Sequence, residues 1–342
     1  MFTSNNEASD INTLIRKVLL DIQTQGEEHI SRRDRPKREE PVKELLNCQL
    51  LLTSPRNRVF RSLANPAIFN PGLAVARFFY LLSGSDRLEN IEAYTRGANW
   101  VSDDGIAIVG NSYGHRIFYQ LPGINQFESA RNLIVARPNT KRATIVLYGP
   151  YDCGRDSQDV PCVLSLGFSP REDILHTTVM MRANNVFRLT CYNVFELSLL
   201  AEFMASYVHL ELGTYAHFSV SMQLRGNDIQ SSVGVATETV DSPSMDPMPQ
   251  VNPSTRGRLV HEESTIRALV PTSSQQGFKD LVSQIKDGYE PYWVDLLMTV
   301  ALQRYFMTHT PQEVISLLGM MSLPDTMLLS TEWCRFFELH IL

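Results

Sequence analysis

Apolar residues return at helical spacing between Ile11 and Gln23, through Ile11, Leu14, Ile15, Val18, Leu19 and Ile22, which predicts an amphipathic first helix. The pattern predicts a buried helix from Asn70-Pro71 to Leu82, stopped by Ser83-Gly84, and another over Gln126–Ala136. From Val194 to Leu212 the chain is apolar almost all round, as expected of a long, nearly wholly buried helix. Alternation or short apolar runs predict strands at Cys48–Leu52, Ala143–Tyr148, Val163–Phe168, Ile174–Arg182 and Phe187–Leu189. Helical patterns resume at Gln275–Ile285, Tyr292–Met307, Pro311–Leu318 and Asp325–Leu342. Strands and helices mix without regular βαβ alternation, so the expected class is α+β.

Two stretches break the pattern. Ser31 to Glu40 reads SRRDRPKREE, mixed charge around a proline, and is expected to be a solvated loop. Thr237 to Thr255 is rich in Ser, Pro and Met without periodicity and reads as a linker. The expected division is therefore an N-terminal helix and charged loop (1–40), a core (41–236), a linker (237–256) and a helical C-terminal part (257–342). Trp333 and Phe336-Phe337 in that last part suit packing on the core.

Composition adds mostly exclusions. A formal net charge of -6 offers no general attraction to nucleic acid, so any phosphate needs a local cation cluster. Apolar runs such as Val294–Leu302 fall short of the roughly 20 residues that span a bilayer, and Met1–Asp10 lacks a basic-then-apolar leader, so a cytoplasmic protein is expected. Cys48, Cys153, Cys162, Cys191 and Cys334 show neither CxxC nor Cys/His spacing, which gives no support to a metal site or disulfide framework.

Candidate chemistry lies in a series of short motifs between Arg56 and Arg225. They run Asn70-Pro71 with the Leu82-Ser83-Gly84 stop, Asn111-Ser112-Tyr113-Gly114-His115-Arg116, Pro138-Asn139-Thr140-Lys141-Arg142, and Asp159-Val160-Pro161-Cys162. Arg182 follows Cys162 by 20 residues, Asn193 follows Arg182 by eleven, and Leu212-Gly213-Thr214-Tyr215-Ala216-His217 closes the series. Taken singly, Cys162 reads as a small buried residue, Lys141-Arg142 as a charged pair before a strand, Asn193 as a helix N-cap and Tyr113-Gly114 as a turn. In this order and spacing the set resembles the thymidylate synthase superfamily and its nucleotide hydroxymethylase relatives. The resemblance implies a thymidylate synthase-like fold with a mixed sheet and a long buried helix, carrying a helical C-terminal extension, and it implies a homodimer.

It also implies roles. Cys162 would be the nucleophile that adds to pyrimidine C6, with Tyr113 beside it at the catalytic centre. Arg182, Arg56 and Arg58 would bind the nucleotide, and Lys141 and Arg142 would reach the phosphate of the partner subunit. Arginine suits phosphate because its fork of donors keeps its charge. Asn193 would read the base; an amide that donates to O4 and accepts from N3–H matches uracil. Asn185 stands where the family contacts its folate, so 5,10-methylenetetrahydrofolate is the implied cofactor.

The departures are as specific. Arg77 stands where the family has a glutamate, Val163 and Ala183 replace a His and a Ser, and Gln223 and Arg225 replace the His and Tyr that hold the sugar. Loss of that carboxylate removes a general base. Two readings follow: a C5 methyl- or hydroxymethyltransferase acting on a non-standard pyrimidine nucleotide, or a catalytically degenerate relative that binds a nucleotide or a partner protein. Arg77 discriminates between them. Directed at Cys162 it favours altered chemistry, whereas paired with a carboxylate and filling the pocket it favours degeneracy.

Overall fold

The computed structural model describes residues 5–34, 37–97, 102–321 and 327–341. Seven strands form one mixed sheet: β1 (Asn5–Ala8), β2 (Glu27–Asp34), β3 (Lys37–Leu52), β4 (Thr144–Val146), β5 (Val163–Arg171), β6 (Ile174–Asn185) and β7 (Glu211–Arg225). Their order is β1-β3-β7-β6-β5-β4, with β2 paired to β3. β6 and β7 run parallel and are joined by α6 (Thr190–Tyr207), whereas β3 meets β7 and β5 meets β6 antiparallel. This is the α+β architecture expected from the pattern.

The expected charged loop at 31–40 is instead the distal part of a hairpin. β2 pairs antiparallel with β3 from Glu27↔Glu44 outward. The strands are joined by backbone pairing and by contacts such as Lys43–Glu28 at 3.1 Å, in a sequence whose 31–40 stretch has no apolar alternation to reveal a strand. Residues 35 and 36 of the expected loop, and residues 325, 326 and 342 of the expected last helix, lie outside the described residues. The buried helix begins at Thr190, before the expected Val194, so Phe187–Leu189 is the approach to a helix and not a strand. It ends at Tyr207, and Glu211 onward is β7, whose inner-face residues Tyr215, His217 and Ser219 are buried.

One face of the sheet carries α1 (Ile11–Gln25), α6 and α7 (Asp228–Thr237). α2 (Pro71–Ser83) lies on α6, and α3 (Leu88–Glu92) and α4 (Tyr113–Phe118) border it, with α5 (Gln126–Ala136) packed on α4 and β4. The Tyr113-Gly114 step is sterically required: a Cβ at Gly114 would fall 1.9 Å from the Leu81 carbonyl oxygen, so only glycine lets α4 touch α2.

After a stretch without helix or strand, α8 (Thr255–Leu269), α9 (Gln275–Gly288), α10 (Pro291–Thr308), α11 (Pro311–Gly319) and α12 (Leu328–Ile341) form the helical C-terminal part. α8, α10 and α12 pack on α2, so this part backs the core. Gln303 of α10 makes the join specific. Its Oε1 accepts from Trp333 Nε1 at 2.8 Å and Asn70 Nδ2 at 3.2 Å, while its Nε2 donates to the Tyr94 carbonyl. No helix among the described residues is long and apolar enough to cross a membrane.

Between the sheet and α6 runs a buried polar chain. Asn193 Nδ2 donates to Asn184 Oδ1 at 3.1 Å, Asn184 Nδ2 lies 3.0 Å from His217 Nε2, and His217 Nδ1 lies 3.1 Å from the Tyr215 hydroxyl. With the Asn184 amide donating to Nε2, the imidazole carries its proton on Nδ1 and donates to Tyr215. Burial pushes the His217 imidazole down to about 4. Between the ordinary value near 6.5 and 4, the unfolded chain binds a proton that the native chain refuses. The stabilisation from keeping His217 neutral is therefore complete above about pH 6.5 and is lost as the pH falls through that window, by roughly 2–3 kcal/mol. Urea midpoints measured at pH 7.5 and pH 4.5 will fall with acidification, and His217→Gln will remove a large part of that fall.

Candidate active site

α2 and α6 lie side by side, and their facing side chains form the floor of a cleft of about 670 Å³. Asn193 and Glu196 are one turn apart and so share a face of α6. Arg77 of α2 meets both. Its Nε donates to Glu196 Oε2 at 3.0 Å, and its Nη2 donates to Glu196 Oε1 at 2.7 Å and to Asn193 Oδ1 at 3.0 Å. Its guanidinium also lies over the Tyr192 ring, 5.4 Å from the centroid. Burial alone would lower the Arg77 pKa, but the Glu196 charge and hydrogen bonds outweigh it and the group is held above its ordinary value. Arg77 thus pairs with a carboxylate yet lies against α6, and the cleft above it stays open.

Cys162 is half-buried on the wall of this cleft, just ahead of β5. Arg182 of β6 grips the segment that carries it. Its Nε donates to the Pro161 carbonyl at 2.9 Å, its Nη2 to the Val160 carbonyl at 3.0 Å, and its backbone N–H to the Cys162 carbonyl at 2.9 Å. Asp159 ties the same segment to the turn before α4, its carboxylate accepting from the Gly110 and Asn111 backbone N–H groups. A Cβ at Gly110 would fall 1.9 Å from the Asp159 carbonyl oxygen, so glycine permits this closure. The Tyr113 hydroxyl donates to Asn111 Oδ1 at 3.1 Å and accepts from the Val163 N–H. Burial pushes this phenol well up, helped by the Cys162 and Glu196 charges and opposed by Arg77. Cys162, Tyr113, Glu196 and Arg77 therefore belong to one electrostatic cluster.

Of the residues expected at the site, Cys162, Tyr113, Arg182 and Asn193 line the cleft together. Arg56 and Arg58 do not. Arg58 is fully buried in an ion pair with Glu202 of α6, and Arg56 Nε donates to the same carboxylate at 2.8 Å, so both anchor their loop to the helix. Asn185 is likewise absent from the cleft lining: its Oδ1 accepts from the backbone N–H groups of Phe187 and Arg188, capping the turn into α6. Lys141 and Arg142 are exposed before β4 and likewise do not line it. Both ends of the Asn193 amide, expected to read the base, are engaged within the protein, Oδ1 by Arg77 and Nδ2 by Asn184.

Several cleft residues escaped the motif reading. Glu196 left a signal, a lone carboxylate inside the apolar run Val194-Phe195-Glu196-Leu197, three residues after Asn193. Arg96 and Arg155 gave none, since both lie in loops. Together with Arg182 they line the cleft without a carboxylate ion pair among the described residues. Arg225 also reaches the cleft, held by Glu40 at 3.1 Å and by Gln223. Leu73, Tyr80, Ile91 and Ile108 form an apolar wall in which the buried Tyr80 hydroxyl has no partner among the described residues. No group of three or more His, Cys, Asp or Glu able to hold a metal ion occurs among the described residues.

Comparison with known proteins places this cleft in a family. The thymidylate synthase family model matches residues 72–254, more than half of the chain, from α2 to the segment before α8. The deoxyuridylate hydroxymethyltransferase of Delftia phage PhiW-14 is 30% identical over 207 residues, covering 55% of this chain and 56% of that protein. That of Bacillus phage SP01 is 29% identical over 194 residues, covering 51% and 50%. The chain thus spans about half the length of these curated relatives. The thermostable thymidylate synthase A from Bacillus subtilis superposes with a TM-score of 0.58 at 16% identity, over 70% of this chain and 90% of that one, a likeness of fold. With the matched region carrying the Cys162 and Arg182 cleft between α2 and α6, this chain belongs to the thymidylate synthase family.

Proposed function

We propose that the chain transfers a one-carbon unit to C5 of a pyrimidine nucleoside monophosphate. The observation that carries this reading is the placement of Cys162 on the wall of an open cleft with Tyr113, Arg182 and Glu196. Pyrimidine C5 is a weak nucleophile until a thiolate adds to C6; the electron pair of the C5–C6 double bond then becomes available at C5. After C5 bonds to the one-carbon unit and its proton leaves, the thiolate departs and the double bond returns. Arg182 would hold the phosphate while keeping the Cys162 segment in place. Arg96 and Arg155 make the cleft locally cationic although the whole chain is anionic. Glu196 returns to the cleft floor the carboxylate that Arg77 replaces on α2.

Methylenetetrahydrofolate, when bound, would supply the one-carbon unit at the formaldehyde oxidation level. The apolar wall of Leu73, Tyr80, Ile91 and Ile108 fits a flat ring, and the unpartnered Tyr80 hydroxyl offers it a hydrogen bond. The reading includes a homodimer. The outer face of the sheet leaves Leu46, Val146, Ile174, Met180 and Val220 exposed, apolar surface suited to a second copy, whose Lys141 and Arg142 would complete the phosphate site. The second reading, a nucleotide-binding relative without chemistry, is favoured by one observation: Arg77 occupies the Asn193 oxygen that would accept from a base.

Release of tritium from C5-labelled CMP, dCMP, UMP and dUMP, with and without methylenetetrahydrofolate, separates the two readings. Release from at least one nucleotide is expected, and Cys162→Ala will reduce it by about 10³-fold or more. Binding without release from any of the four would move the assignment to the second reading. The shared phosphate site is tested by complementation. Arg142→Ala and Cys162→Ala homodimers will each be inactive or weak, and mixing them under exchange conditions will restore activity, because one site of the mixed dimer has both residues; no recovery would place the phosphate site within one subunit.

A further inference from the structure

Granting a pyrimidine nucleotide in this cleft, the hydrogen bonds at its floor specify the base. Reading a uracil edge requires a donor to O4 and an acceptor for N3–H. Asn193 has little left to give: Nδ2 spends its two hydrogens on Asn184 Oδ1 at 3.1 Å and the Met181 sulfur at 3.8 Å, Oδ1 already accepts from Arg77 Nη2 at 3.0 Å, and the residue is only 4% exposed. The groups with capacity left are on the pair beneath it. Arg77 spends Nε and Nη2, while Nη1 has no partner among the described residues, and each Glu196 oxygen accepts one Arg77 bond and keeps a second lone pair. Both side chains line the same cleft as Cys162 and Tyr113.

We infer that the Arg77–Glu196 pair makes this a cytosine-reading site. A carboxylate oxygen beside guanidinium N–H groups presents an acceptor next to donors, the sequence of groups that guanine offers to cytosine. The cytosine 4-amino group donates to Glu196, and N3 and O2 accept from Arg77. Uracil meets the same pair with two mismatches, its N3–H facing a guanidinium N–H and its O4 facing a carboxylate. A site built to hydrogen-bond particular edge groups rejects an analogue that leaves them unpaired far more strongly than an apolar pocket rejects a change of size. This base preference does not depend on the sugar; Arg225, held by Gln223, lines the cleft from the end of β7.

The test uses the full wild-type chain and changes only the ligand, so protein folding does not enter. Calorimetric titration with CMP, dCMP, UMP and dUMP is expected to show the better cytosine nucleotide binding at least about tenfold tighter than its uracil counterpart. Replacing the base by 2-pyrimidinone, which lacks the 4-amino group, or by 3-deazacytosine, which lacks the N3 acceptor, will each weaken binding by a further tenfold or so. Equal or tighter binding of the uracil nucleotides would overturn the inference, and Cys162-dependent tritium release from them would leave the C5-transfer reading standing. Binding of none of the four would overturn both.

Discussion

The Arg77 guanidinium sits in the contact between two largely apolar helices, and the cleft depends on how its charge is met. A buried cation without a partner costs several kcal/mol, and the neighbours of Arg77 on α2, Ala76, Phe78 and Phe79, offer no compensation. Glu196 of α6 does, through two hydrogen bonds to separate guanidinium nitrogens, a geometry that fixes rotation and register as well as distance. Because the pair lies along α6 with Tyr192 under the guanidinium, the cation is accommodated without filling the space above. The third Arg77 bond sets the Asn193 amide, and through Asn184 the constraint continues to neutral, buried His217. A single charge thus determines the donor and acceptor pattern of the whole floor.

A floor set by two helices keeps its pattern only if neither helix shifts, and the C-terminal helices supply that restraint. α2 is covered from behind by α8, α10 and α12, with Trp333 buried and bonded to Gln303. Asp295 of α10 accepts from the backbone N–H groups of Leu329 and Ser330, holding the start of α12 to α10. Arg61, in the loop before α2, pairs with Glu332 of α12. These contacts place the C-terminal part as a buttress for α2, on the side opposite the cleft, and not as a cover over Cys162.

Local patterns in the sequence carried the α+β class, most helix positions and the core of the cleft, because apolar period and short-range motifs report on backbone conformation. The failures share a cause. The β2/β3 hairpin is held by backbone pairing along a stretch that has no apolar period. Residues 218–225 alternate apolar and polar, but with Ser219 buried and Val220 exposed the alternation does not follow burial, and the expected helix runs on to Leu212. Arg56 and Arg58 looked like ligand groups because their partner, Glu202, lies more than 140 residues away in sequence. Asn185 looked like a contact for a cofactor because its capping bonds to the next turn are invisible before the backbone is placed.

The same distinction explains which parts of the family pattern persist. Cys162 and Arg182 are joined by bonds between one loop and the adjoining strand, so the sequence spacing that identifies them also builds their geometry. The base end has no such local definition. Arg77 and Glu196 are 119 positions apart, and a carboxylate lost from α2 is regained on α6 only when the helices pack. Read position by position, the substitution of an arginine for a glutamate looks like loss of function. Read as a pair across the α2–α6 contact, it places one cation and one carboxylate together at the cleft floor. The resulting pattern of donors and acceptors is what a base edge is matched against.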